Sequence, residues 1–500
     1  MYNFKKQAVR ALRLIFCCLA LFCMSCASSP PQASAPPEED IPVAPRFVDK
    51  LAAMLDAGDI DGALALFDTL SPEEAGLRQN RRFKASILIS AGKPQEARAI
   101  VEALINEDGG DIESRYILSN IEAASGKNKE QRLLLENIIK DAPNHTPSLN
   151  ALGQIAINTK SPRLAASYFD RALAVEPDNM DAIAGRANVY RLEHKKEEAE
   201  ELFNKLVMLY PNSEAYSERG RFYRETGNLS RALEDLDAAK KLDPYNYWVS
   251  YDKGRVLLSM GKQREALEEF DYANKLEPDI FISYVYSAGI RDELEDIDGA
   301  AHDYETLVRL RPDYYFALEG LGVQQMKRGL YTASAQAFAA AYQTAPTENN
   351  YAMLAAVNML KGGGQHNQIK PFVEQAMRKI DRNKLDYHVL RLFFDLSGDA
   401  DVVRRISQEK NERTKAQMMF YLANYYDIKG NSLLADKFYI EFRDMKRMDI
   451  VEWRLNEWIL KNRNTQLGDT GGGGGTNSAG ANSAGTNNGG TNSAAATEKG

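Results

Sequence analysis

Seven prolines, at 143, 177, 211, 244, 278, 312 and 346, stand 34, 34, 33, 34, 34 and 34 residues apart. Spacing this even marks one supersecondary unit copied along the chain, each copy closed by a residue that cannot continue a helix. Each proline ends an amphipathic stretch, as in Ala174-Val175-Glu176-Pro177 and Lys275-Leu276-Glu277-Pro278, so it stops the second helix of its unit. With that proline numbered position 32, glycine falls at position 15 in Gly58, Gly92, Gly126, Gly227, Gly261, Gly329, Gly363, Gly398 and Gly430. That is where the turn between two helices belongs. Alanine recurs at position 20 (Ala97, Ala165, Ala199, Ala232, Ala266), glycine or alanine at position 8 (Gly153, Ala187, Gly220, Gly254, Gly322) and a ring at position 24 (Phe169, Phe203, Phe270, Phe338). Small residues let the two helices of a hairpin approach, and the ring fills the gap to the next pair. A single hairpin cannot cover its own apolar face, so copies must stack.

These residues resemble the tetratricopeptide repeat, whose period is 34 residues. The resemblance implies an all-α fold, a right-handed superhelical solenoid of about twelve hairpins over residues 46–449. In the tenth, Gly362–Asn367 reads as a lengthened turn, with Pro371 beginning a shifted helix. An amphipathic segment over 450–463, with Ile450, Trp453, Leu455, Trp458 and Ile459, is expected to cap the exposed end of the stack.

The two ends read differently. Residues 1–25 carry Lys5, Lys6, Arg10 and Arg13, then an apolar run from Leu14 to Met24 and small residues, the pattern of an export signal. The run is short of the ~20 apolar residues that span a membrane. Ser25-Cys26 resembles a bacterial lipoprotein signal, which implies lipid on the Cys26 sulfur and a mature N-terminus there. The departure is Cys23, where leucine is usual; the alternative is a plain cleaved signal. Residues 26–45 hold six prolines and suit a semi-rigid spacer. Residues 464–500 hold 11 of the 34 glycines and loose Thr-Asn-Ser-Ala-Gly repeats, too little apolar surface to fold.

Composition excludes several function classes. The net charge is −8 and becomes −12 without the four cations of residues 1–25, against a general nucleic-acid binder. All four cysteines lie in the first 26 residues, so the body holds no disulfide framework. The five histidines (145, 194, 302, 366 and 388) fall in different repeats without His-Glu-x-x-His, and Gly362–Gly364 lacks the Gly-Lys-Ser/Thr of a phosphate loop. No catalytic, cofactor or metal site is expected, and the chain reads as a non-enzyme.

What remains is a surface. Positions 2, 5, 9 and 12 of each first helix form a stripe, and the resemblance implies that it lines a concave groove holding peptides or partner segments. From Tyr116 to Arg255 it carries Asn120, Asn150, Asn188, Arg191, Arg221, Arg224, Trp248, Tyr251 and Arg255. From residue 281 it turns apolar, with Ile282, Val285, Phe316, Val323, Met326, Met353, Val357 and Leu360. Asparagine can pair with a ligand backbone, arginine can fork onto carboxylates, and Trp248 and Tyr251 can anchor. The plainer reading is that Arg221 and Arg224 pair with Glu214, Glu218 and Glu225, and that the apolar zone only packs. On the binding reading, reversing Arg221, Arg224 and Arg255 abolishes partner capture and leaves the melting curve unchanged.

The expected function is a lipid-anchored scaffold or adaptor for protein complexes in a bacterial cell envelope, with Ala27 at the mature second position favouring the periplasmic face of the outer membrane. The alternative is a periplasmic small-ligand or transporter accessory protein, its solute held in the apolar zone around Phe316, Val323 and Met326.

Overall fold

The computed structural model describes residues 47–470; the segment read as an export signal, Cys26, the stretch read as a spacer and residues 471–500 lie outside them. Among the described residues are 26 α-helices, one 3-10 helix and no strand. They form two compact units that divide at Leu276 and Glu277.

The first unit is a run of helical hairpins. Phe47–Asp56 with Ile60–Leu66 opens it, and the pairs Ile112–Ala124 with Asn128–Asp141, Thr146–Asn158 with Pro162–Val175, Met180–Leu192 with Lys196–Leu209, Ser213–Glu225 with Leu229–Leu242, and Tyr247–Ser259 with Gln263–Leu276 are its most regular part. The boundaries follow from local chemistry. Asp111, His145, Asn179 and Asn212 each sit just before a first helix and accept from the backbone N–H three residues on, satisfying one of its orphan donors. Pro94 and Pro162 open second helices, where a missing N–H costs little.

The turn at position 15 is left-handed in all twelve hairpins. Nine carry glycine; Lys160, His194 and Glu295 adopt the same conformation, with φ of 56°, 59° and 60°. His194 N–H donates to the Arg191 carbonyl and Lys195 N–H to the Tyr190 carbonyl, closing the helix in a Schellman-type cap. A β-carbon in this region costs about 1–2 kcal/mol, offset in part by the greater chain entropy of glycine. His194 is exposed. His194→Gly is therefore expected to stabilise the chain by about 0.5–1 kcal/mol, read as a higher urea midpoint at unchanged slope.

The core is built as the small-large pattern dictates. A β-carbon at Gly153 would lie 2.6 Å from the Phe169 ring, and one at Gly185, in the next hairpin, 2.3 Å from it. Phe169 thus sits in a slot made by two missing side chains. Phe203, Phe222, Leu236 and Val256 continue the buried cluster between later pairs.

The second unit holds five hairpins and a last helix. Its first helices are Phe281–Glu293, Tyr315–Lys327, Asn349–Lys361, Leu385–Asp395 and Glu412–Ile428, each followed by a partner, and Val451–Thr470 closes it. Two boundaries differ from the sequence reading. Pro371 does not begin a helix: it lies inside His366–Met377, and the turn before it is as short as Gly362–Gln365. The last helix runs to Thr470, past the expected end at 463. It packs on Ser432–Asp444, but it also reaches Tyr315–Lys327, far back in the stack.

Candidate functional site

In the first unit, the residues singled out from the sequence come together as a ladder of polar bonds between hairpins. Asn188 Nδ2 donates to Glu218 at 3.2 Å, and Arg191 Nε donates to Asn188 Oδ1 at 3.0 Å. Arg191 also reaches Glu225 at 2.5 Å. Arg221 donates to Glu218 and to Asp252, both at 2.6 Å, and Arg255 lies 3.9 Å from Asp252. In two successive steps, Asn188 to Glu218 and Arg221 to Asp252, position 9 of one hairpin bonds position 6 of the next. Asp252, only 5% exposed at its side chain, is the partner that the sequence reading missed. The signal was present, an arginine followed 31 residues later by an acid, but it needs the stacking register to be seen.

Burial opposes the charge on Arg221, yet Glu218 and Asp252 outweigh it and hold its pKa above the ordinary arginine value. The plainer reading of this arginine thus holds in part. It is a strut, and reversing it cannot leave the melting curve unchanged. Arg224 stands 3.6 Å from Glu225. Asn150 donates to the Asn179 cap at 2.9 Å and braces the next helix. Tyr251 is buried, 6.0 Å from the Phe270 ring, and is core rather than anchor. Tyr116 lies edge-on to His145; burial, then the charge of Asp181, pushes its phenol up to about 12.

Other stripe positions remain open to solvent. Gln154 is exposed, and Trp248 and Asn120 are half-buried. The Trp248 ring stands edge-on to Tyr247 at 4.9 Å and to Tyr251 at 5.6 Å, which fixes its orientation. The stripe is thus a rigid polar surface with one aromatic side chain held at its end.

In the second unit the apolar stripe is not a free groove. Val323, Met326, Met353 and Val357 are buried in one cluster with Tyr421, Leu455 and Ile459. The last helix lies along this stripe: Arg454 bonds Asp292, at position 12 of one hairpin, at 2.6 Å, and reaches Glu319, at position 5 of the next, at 3.4 Å. The solute pocket expected around Phe316, Val323 and Met326 is therefore corrected: Val323 and Met326 are core, Phe316 is exposed, and Val285, Tyr304, Tyr314 and Arg454 line a space of about 300 Å³ beside it. Position counting within a hairpin cannot detect a helix that returns from 135 residues downstream.

That helix carries a buried acid. Glu452 is fully buried and accepts from the Tyr421 hydroxyl at 2.6 Å and from Gln417 at 3.4 Å. Burial raises its pKa, against those hydrogen bonds, which lower it. A carboxyl whose folded pKa is raised binds its proton more tightly folded, so stability falls as pH rises from the ordinary carboxyl value through the folded one. Glu452→Gln keeps the acceptor and removes the charge. It is expected to gain about 1–2 kcal/mol at pH 7, the gain vanishing below about pH 4, in urea titrations across pH.

Among the described residues no group of three His, Cys, Asp or Glu is placed to hold a metal ion, and no helix is long and apolar enough to cross a membrane. Stacked helical hairpins with a repeated surface stripe define a protein of the α-solenoid class. With its 34-residue pitch, small residues at 8 and 20, a ring at 24 and a left-handed turn at 15, the chain has the fold of tetratricopeptide repeats. A family model described as the ETO1 C-terminal domain matches residues 115–324. No curated protein matches. Among solved structures, the chain is similar to a tetratricopeptide repeat protein from Parabacteroides merdae ATCC 43184, at 19% identity over 48% of this chain and 96% of that one, TM-score 0.39. It is also similar to PilF of Pseudomonas aeruginosa, at 18% over 49% and 96%, TM-score 0.34. A third is YrrB, described as a TPR protein with an unusual peptide-binding site, at 19% over 37% and 95%, TM-score 0.29.

Proposed function

We propose that this protein is a non-enzymatic scaffold or adaptor that takes segments of other envelope proteins on the stripe of its first unit. One observation carries the reading: the Asn150–Asn179 bond and the ladder from Asn188 to Arg255 brace the hairpins that carry Gln154 and Trp248, so these side chains are presented without further ordering. A pre-ordered surface spares a partner much of the entropy cost of docking. The four arginines of the ladder are matched by Glu214, Glu218, Glu225 and Asp252. Recognition therefore falls to shape, amide pairing and the Trp248 ring rather than to net charge.

The anchor belongs to the same proposal. The signal-like segment before Cys26 and the proline-rich residues after it suit lipid on that cysteine, with the body held off a membrane of the bacterial envelope, the periplasmic face of the outer membrane being favoured by Ala27.

The experiment is affinity purification from membranes with three chains. Cys26→Ser should lose fatty-acid labelling and move to the soluble fraction with its partners still bound. Gln154→Arg combined with Trp248→Ala should stay on the membrane and lose the same partners. Membrane retention and labelling of Cys26→Ser would end the anchor; unchanged partners on the second variant would end the stripe.

A further inference from the structure

The last helix sits on the second unit as a ligand sits on a receptor. Arg454, Lys461 and Arg463, spaced i, i+7 and i+9, face carboxylates of the stack: Asp292 and Glu319, Glu295, and Asp427 and Asp436. On the same helix Val451, Leu455, Ile459 and Leu460 are buried. The basic, amphipathic helix thus meets an acidic rim around an apolar floor.

Two features mark the seat as releasable. Most of the stack's carboxylates keep a second partner without the helix: Asp292 has Lys327 at 3.3 Å and Gln324 at 2.8 Å, Glu319 has the Tyr351 hydroxyl at 2.6 Å, and Asp427 has Lys361 at 3.0 Å. Glu295 is exposed to water. Departure of the helix therefore strands none of the three buried or half-buried charges, Asp292, Glu319 and Asp427. The helix itself is poorly satisfied in place. Glu452 is fully buried with neutral partners, and the carbonyl oxygen of the fully buried Asn456 side chain has no donor. A helix kept for packing alone gains more from apolar residues at both positions.

We propose that residues 451–463 form a releasable latch on the second unit, and that the partner which takes their place is a basic amphipathic helix with cations in the same spacing. This goes beyond the scaffold reading and rests on neither the lipid anchor nor the first-unit stripe.

The test uses the full chain. Hydrogen exchange should show amides of 451–463 opening at least tenfold faster than those of 416–426, the helix beside them. Arg454→Glu with Lys461→Glu should speed 451–463 a further tenfold and leave 416–426 unchanged. A fluorescein-labelled peptide of residues 449–470 should bind this variant at least tenfold more tightly than the wild type. The same peptide with its three cations replaced by Glu should not bind. Exchange of 451–463 in step with 416–426 in both proteins overturns the latch. Opening without peptide capture overturns the receptor, and a doubled mass by light scattering gives the seat to a second copy and overturns a separate partner.

Discussion

Arg221→Glu is expected to cost the first unit about 2–4 kcal/mol, lowering its urea midpoint. The guanidinium holds two carboxylates, Glu218 and Asp252, at 2.6 Å each. Asp252 is nearly dry, so removing the cation leaves a buried charge, and the substitution adds a third carboxylate beside it. The Arg221 side chain is 36% exposed, and solvent screening keeps the loss below that of a fully buried pair. Arg255→Glu serves as the contrast. Its guanidinium stands 3.9 Å from Asp252, a marginal contact, and its loss is expected to cost about 1 kcal/mol or less. Equal losses from the two substitutions would show that the ladder is not held by Arg221. The same difference governs binding experiments: loss of a partner through Arg221→Glu reports unfolding, whereas Gln154 and Trp248 report contact.

Phe169→Ala is expected to cost about 3–5 kcal/mol, the range for a ring removed from a packed core. Phe169 is 2% exposed and fills a slot bounded by Gly153 and Gly185. Helices brought so close by two glycines have no side chain to move into the void, which favours the upper part of that range. Because each hairpin is stabilised by its neighbours, the damage should centre on the two pairs that share the ring. Hydrogen exchange is then fastest over residues 146–209, and amides beyond Glu277 are unaffected. Gly185→Val probes the slot from the other side, overfilling it at a cost of about 1–3 kcal/mol. A neutral result for both substitutions would remove the close approach on which the hairpin packing depends.

Much of the fold was legible because the repeat is local. Proline at 32, the turn at 15 and the ring at 24 each report on residues within one hairpin or its neighbour, and the structure has them as read. The left-handed turns at Lys160, His194 and Glu295 were hidden, since side chains there break the glycine pattern while the backbone keeps it. Pro371 misled for a related reason: proline favours the first turn of a helix, and it was read as opening one, whereas the helix starts five residues earlier, at His366, and runs through it. The stripe was legible as a set of positions but not as a set of roles. Arg221 and Asn150 turned from ligand contacts into struts because their partners, Asp252 and Asn179, lie on the next hairpin. The apolar stretch from Val323 to Val357 was read as a surface, and only the return of residues 451–463 shows it to be an interior. Contacts over more than a hundred residues leave no periodic trace.

The most direct measurement of the scaffold assignment is site-specific photo-crosslinking in the native host. A photoreactive side chain is placed at Gln154, at Trp248, and at two exposed residues of second helices, Leu133 and Met208. Discrete adducts from Gln154 and Trp248, absent from Leu133 and Met208, are the expected result. Adducts confined to Leu133 and Met208 would contradict it, placing partner contact on the opposite helices and leaving the ladder as packing alone.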